Sequence, residues 1–231
     1  MNSIKRNISN LLTLGNLFCG LVAIVFSFEN NLHFAGAFIF FGAILDFFDG
    51  LSARLLKVSS EIGEQLDSMA DMVTFGVAPG MIMFQMIKLS NIDENSYIAY
   101  IGFIITLFSA IRLSKFNIDT KQTSSFIGLP TPAAAIFIAS LPIISKYYNI
   151  LFTDSKFFIG TSIILSLLLV ANLPLFSLKI KKGENWKNKE NIIQIIFLIS
   201  CVILLFIFEF VAIPFIVILY IFLSILNNLI K

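Results

Sequence analysis

Four aspartates fall in two neighbouring apolar stretches, Asp46 and Asp49 in the first and Asp67 and Asp71 in the second. Gly50, Ala53 and Arg54 follow the first pair, and Gly63 precedes the second. A carboxylate at bilayer depth costs roughly 2.5–3.5 kcal/mol on insertion scales, so four would cost on the order of 10 kcal/mol. Something must offset that charge. Hard divalent cations prefer carboxylate oxygen and are the obvious choice. Two such ions about 3.5–4 Å apart use several carboxylate oxygens and leave positions for substrate phosphates. A carboxylate not fully used by metal can serve as a general base.

These residues need elements that aim them at one point. On a helix, positions 46, 49, 50, 53, 54 and 57 fall on one stripe, with spacings of three and four. Asp46, Asp49, Gly50, Ala53 and Arg54 therefore face the same way. In the next segment Gly63, Asp67 and Asp71 are spaced by four and also share a face. Two antiparallel helices with a short link over residues 56–61 would bring the two faces together. Gly50, Ala53 and Gly63 are small and would let a bulky ligand, such as a nucleotide, approach the backbone. Arg54 can neutralise phosphate charge. Simple helix packing of small residues, salt bridges from the aspartates to Arg54 and Lys57, or an ion-transport site would each explain part of the pattern. None of them requires all four aspartates, both glycines and the Ala53–Arg54 pair together.

The surroundings read as membrane. The 231 residues are 58% hydrophobic and 13% charged, with a mean hydropathy of +0.92. Soluble domains carry about 25% charged residues. The expected fold is an all-α, polytopic helical bundle of about eight transmembrane helices, forming a single domain over residues 1–231. Apolar runs lie at about 10–28, 33–55, 62–89, 97–114, 130–146, 156–173, 191–208 and 210–230, most of them near the ~20 residues a span needs. Pro79 and Gly80 should kink the third run, and a very short turn near Glu209 should separate the last two. No cleaved signal peptide is expected. Lys5 and Arg6 precede an apolar run, but Asn16 and Gly20 interrupt it and no small-residue cleavage site follows. Cys19 and Cys201 sit in different runs and read as packing residues. His33 has no second His or Cys nearby and reads as structural. No nucleic-acid partner is expected.

Charge orders the loops. With eight spans, of the 16 basic residues only Lys88, Lys146 and Lys156 fall on one side. The positive-inside rule then puts both termini and the aspartate-bearing ends of spans 2 and 3 in the cytoplasm. The Lys-rich stretch 179–189, with Trp186, reads as an inside loop anchored at the interface.

The run Asp46-Phe47-Phe48-Asp49-Gly50-Leu51-Ser52-Ala53-Arg54, followed by Gly63-Glu64-Gln65-Leu66-Asp67-Ser68-Met69-Ala70-Asp71, resembles the complete signature of the CDP-alcohol phosphotransferases. These are integral membrane enzymes of phospholipid synthesis. Three flanking stretches are similar to the serine-accepting branch of that family: Leu66 to Gly80, Ser109 to Asn117, and Phe126 to Ala135. The stretch Leu11 to Gly20, which contains Asn16, is similar as well. The resemblance covers about residues 10–140. Lys115 departs from it, standing where that branch is expected to carry arginine.

The resemblance implies transfer of a phosphatidyl group from CDP-diacylglycerol to the hydroxyl of L-serine, with release of CMP. It implies two divalent ions, Mg²⁺ or Mn²⁺, held by Asp46, Asp49, Asp67 and Asp71, with Asp71 as the base. Gly50, Ala53, Arg54, Gly63 and Asn16 would bind the nucleotide, and Arg112 and Lys115 the serine. A homodimer in the cytoplasmic membrane is expected. Two other readings stay open: a different acceptor, such as glycerol 3-phosphate or inositol phosphate, and a cation transporter. The topology is testable by itself. A reporter placed after residue 92 should read as external and reporters at either terminus as cytoplasmic; an internal signal after residue 92 would refute the eight-span arrangement.

Overall fold

Apolar runs free of internal breakers form helices, and the breaks fall where the chain offers a residue suited to turning. The first helix, α1 (Asn2–Phe28), ends at Asn30, which takes a left-handed conformation with φ 58°. Asparagine tolerates that region better than most residues. Asn30 N then donates to Ser27 O, and Asn31 N to Phe26 O at 2.9 Å, satisfying the last carbonyls of the helix. Only three residues separate α1 from α2 (Leu32–Leu56), so the two form a tight antiparallel hairpin. The structure is a computed structural model and describes residues 2–56, 60–90, 97–118, 126–148, 154–176 and 189–229. Lys57 and the Trp186-bearing loop lie outside the described residues.

Ser60 starts the third span. Its hydroxyl accepts from Gly63 N at 3.1 Å, an N-cap that fixes where α3 (Glu61–Asp71) begins. The chain continues as a π-helical turn (Met72–Val77) and then α4 (Ala78–Leu89), giving one apolar rod of 29 residues. Where the sequence suggests a kink at Pro79 and Gly80, the feature found is a π-helical turn just ahead of them. A proline ring clashes with the carbonyl four residues back, here that of Phe75, and the wider turn relieves this. The rod forms the centre of the bundle, with 67% of its most apolar window buried against 33% for α1.

A 3₁₀ segment (Tyr97–Phe103) leads into α5 (Ile104–Ile118). After it come β1 (Phe126–Ile127), α6 (Thr131–Tyr148), α7 (Ser155–Val170) and β2 (Pro174–Leu175). The strands pair antiparallel, Phe126 opposite Leu175 and Ile127 opposite Pro174. Gly128 extends this clasp. Its φ of 77° suits glycine, its N–H donates to Leu173 O, and a side chain there would strike the backbone of Leu169. The last two helices are α8 (Lys189–Phe208) and α9 (Ala212–Leu229). Between them Glu209, at φ 48°, opens a single 3₁₀ turn, so the separation expected near Glu209 is found there. Among the described residues the fold is all-α apart from the two short strands. Five of their stretches are long and apolar enough to cross a membrane, the last holding most of α8 and all of α9, and α6 and α7 are shorter apolar helices. Cys19 and Cys201 are free thiols, and His33 Nε2 lies 2.9 Å from Lys146 Nζ.

Three elements meet at Thr74. Its hydroxyl donates to Asn16 O at 2.9 Å. A Cβ on Gly20 would lie 2.8 Å from Thr74 Cα, and one on Gly42 would lie 2.7 Å from Thr74 Cγ2. α1 and α2 can therefore approach the central rod only because these positions lack side chains. Gly20→Ala should overpack this junction, costing about 1–3 kcal/mol and lowering the melting temperature in detergent. Gly160→Ala, at a helical position with nothing within 4 Å of the new methyl, should raise stability by about 0.5–1 kcal/mol. Equal melting temperatures for the two variants would refute the packing account.

Candidate active site

The α1–α2 hairpin and the Ser60 cap together determine where the acids point. α2 carries Asp46 and Asp49, and α3 carries Asp67 and Asp71. One carboxylate oxygen from each of Asp46, Asp49 and Asp67 lies within 4.8 Å of the others, a group able to hold a metal ion. Asp71 lies outside that group of three, its side chain close enough to Asp46 for the two to interact. Two carboxylates at about 4–5 Å repel by roughly 3–4 kcal/mol at an effective dielectric near 20. Such a group is costly by itself and becomes favourable around cations.

α1 supplies the polar contacts that hold the carboxylates. Thr13 Oγ1 donates to Asp49 Oδ2 at 2.7 Å. Asn16 Nδ2 lies 3.5 Å from Asp71 Oδ1. Ser9 Oγ donates to the carbonyl of Asp49 at 3.2 Å, tying the two helices at the same level. These contacts leave carboxylate oxygens free to face one another, as a donor set for hard cations requires.

Beside the acids opens a cavity of about 210 Å³. Asp49 and Asp67 form its acidic wall, Gly50, Ala53 and Gly63 its small-residue floor, and Ser9, Asn10, Thr13, Ser60 and Glu64 the remainder. Protein packing explains only one of the two glycines. A Cβ on Gly63 would crowd Ser60 Oγ at 3.0 Å and Asn10 Oδ1 at 3.3 Å. A Cβ on Gly50 would meet only Arg54 Nη2, at 3.8 Å. The space above Gly50 is thus left open by the fold and is available to a ligand.

The other residues singled out in the sequence take varied places. Arg54 is exposed on α2, outside the cavity lining, with Nε donating to Gly50 O at 2.8 Å. Asn16 is fully buried against Asp71, and its Oδ1 has no partner among the described residues. Arg112, on α5, is buried with its guanidinium over the Phe116 ring at 5.5 Å and within electrostatic reach of Asp71. Lys115, one turn on, is exposed. Thr13, Ser9, Asn10 and Ser60 were not singled out from the sequence. Of these, only Thr13 carries a signal, lying one helical turn before Asn16 in the stretch Leu11 to Gly20.

The fold and the site together define a polytopic membrane protein with an acid cluster able to hold a metal ion beside an open cavity. The CDP-alcohol phosphatidyltransferase family model matches residues 6–226, and the chain belongs to that family. Among its relatives, proteins named CDP-diacylglycerol–serine O-phosphatidyltransferase stand out. The one from Bacillus subtilis is 43% identical over 143 residues, covering 60% of this chain and 75% of the relative. One from Helicobacter pylori strain J99 is 33% identical over 202 residues, covering 82% of this chain and 78% of the relative. One from Methanocaldococcus jannaschii is 36% identical over 141 residues, covering 60% of this chain and 62% of the relative.

If the four aspartates share their ions, they should fail as a unit. In purified protein, Mn²⁺ should raise the melting temperature of the wild type, since a ligand that binds the folded state stabilises it. Asn in place of any one of Asp46, Asp49, Asp67 or Asp71 should abolish most of that rise, and double variants should differ little from singles. Retention of the full Mn²⁺ response by three of the four single variants would refute the shared site.

Proposed function

We propose that this chain transfers a phosphatidyl group from CDP-diacylglycerol to L-serine, releasing CMP and forming phosphatidylserine. One observation carries the reading: three convergent carboxylates beside a cavity whose glycine floor is left open at Gly50. The names borne by the relatives specify the acceptor.

The aspartates Asp46, Asp49, Asp67 and Asp71 would hold two divalent ions, Mg²⁺ or Mn²⁺. When bound, such ions neutralise a diphosphate and the charge on a departing phosphate. The chain's own residues do the rest. Gly50, Ala53 and Gly63 give the cytidine nucleotide access to the backbone. Arg54, its head beside Gly50, supports the phosphates from the rim, and Asn16 holds Asp71 from behind. Asp71 takes the proton of the serine hydroxyl as that oxygen attacks the phosphorus bearing diacylglycerol. The bond from this phosphorus to the CMP oxygen breaks, and CMP leaves with the electron pair. Arg112 takes the serine carboxylate, with Lys115 as the outer cationic contact.

The reading extends to the whole molecule. The chain acts as one domain over residues 1–231, in the cytoplasmic membrane, with both termini and the site facing the cytoplasm. The resemblance to the family favours a homodimer. Labelled serine incubated with the protein, CDP-diacylglycerol and Mn²⁺ should yield a lipid-soluble labelled product. Labelled glycerol 3-phosphate should yield none; the reverse result would transfer the chain to another acceptor. A cation transporter would give neither product, and CDP would not raise its melting temperature.

Arginine can grip a carboxylate with two parallel hydrogen bonds, which lysine cannot. Arg112→Lys should therefore raise the serine KM by about tenfold or more, the scale of a lost hydrogen bond to a charged group, and leave the KM for CDP-diacylglycerol nearly unchanged. If nucleotide binding weakens and the serine KM holds, Arg112 belongs to the phosphate site.

A further inference from the structure

The site described so far lies between α1, α2 and α3, and Arg112, on α5, lies within electrostatic reach of Asp71. Long cationic side chains are mobile and must be held to act with precision. What holds this one is visible in the packing. Arg112 Nη1 donates to Thr131 Oγ1 at 3.3 Å, and both residues are buried. The Phe116 ring lies under the guanidinium. Arg112 Nε, by contrast, is buried without a partner among the described residues. One end of the fork is anchored and another donor is left unsatisfied, as expected of a group that completes its hydrogen bonds on a ligand.

Thr131 is suited to be the anchor. It is the first residue of α6 and stands between Pro130 and Pro132, whose rings fix the backbone on both sides. Helix starts use threonine hydroxyls to cap their first amides. Here Ala133 N and Ala134 N are already bonded to Pro130 O at 3.0 and 3.2 Å. The Thr131 hydroxyl is spared that duty and is directed to Arg112. On the far side, Tyr220 of α9 lies within electrostatic reach of Arg112, and its hydroxyl is fixed by donating to Phe176 O at 2.9 Å.

We infer that Thr131 is a positioning residue for acceptor recognition, its hydroxyl locking the Arg112 guanidinium in the orientation that receives the acceptor's carboxylate. This rests on the reading of Arg112 as the acceptor contact. Thr131 itself touches no substrate and works through Arg112. The Pro130–Thr131–Pro132 corner then sets acceptor affinity and has no part in the nucleotide half of the site.

The test is steady-state kinetics of the full-length protein in detergent–lipid micelles, with serine and CDP-diacylglycerol varied separately. Thr131→Val keeps the shape and removes the hydroxyl. It should raise the serine KM by about tenfold, the scale of a lost hydrogen bond to a charged group, and leave the KM for CDP-diacylglycerol within about twofold. Thr131→Ser, which restores the hydroxyl, should return the serine KM to near wild type. In an Arg112→Lys background, Thr131→Val should add nothing, because the group it positions is gone. A serine KM unmoved by Thr131→Val, while Arg112→Lys raises it, overturns the inference and leaves the acceptor reading intact. Effects of the two substitutions that multiply also overturn it, since Thr131 would then act independently. A serine KM unmoved by either substitution overturns both. Should Thr131→Val fail to accumulate, Thr131→Ala takes its place under the same criteria, with Thr131→Ser as the reference for folding.

Discussion

Everything in the first half of the bundle answers to one constraint, the convergence of like charges in an apolar surrounding. Three carboxylates within 4.8 Å of one another repel strongly in a low-dielectric setting. They hold that arrangement only if the helices bearing them cannot spread apart. The Thr74 junction supplies that rigidity. Gly20 and Gly42 let α1 and α2 close on the central rod, and the bond from Thr74 Oγ1 to Asn16 O pins α1 at the level of the acids. The same helix then supplies Thr13 to Asp49 and Asn16 to Asp71. Packing and electrostatics are thus one problem, solved by small residues beside the acids and polar ones behind them.

The second half of the bundle serves a different need. α5 and α6 bring Arg112 and Thr131 together, and the β1–β2 clasp ties the approach to α6 to the exit from α7. The outer pair, α8 and α9, is little buried, only 11% of its most apolar window, yet Tyr220 reaches from it to Phe176 and toward Arg112. On the proposed reading, the nucleotide side and the acceptor side are built from different parts of the chain and meet at Asp71.

Much of this was legible in the sequence, for physical reasons. The apolar runs are long and the turn residues between them few, so element type and order follow from hydropathy. The acids and small residues repeat at helical spacing, which places them on shared faces. Pairings across distant segments were not legible. Thr131 is 19 positions from Arg112, and a threonine between two prolines carries no mark of what its hydroxyl will meet. Thr13 and Ser9 are ordinary residues of an amphipathic helix start until α2 is laid against them. Burial told equally little in advance. Arg54, read as a support for the phosphates, is exposed, whereas Arg112, read as a contact for the serine, is enclosed by α6 and the aromatic ring one turn along.

The π-helical turn at Met72–Val77 has a consequence for how the chain tolerates insertions and deletions. A π turn accommodates one residue more than a regular turn of about 3.6. Removing a single residue there would restore an unbroken α-helix and keep the rod apolar and continuous. Because the wide turn takes up that residue within itself, Asp67 and Asp71 would keep their faces relative to α4. Winding the same residues as regular α-helix, with none removed, would instead turn the two acids by roughly 100° about the axis, the step of one residue. The wide turn thus sets the phase between the half of the rod that is packed into the bundle and the half that carries the acids.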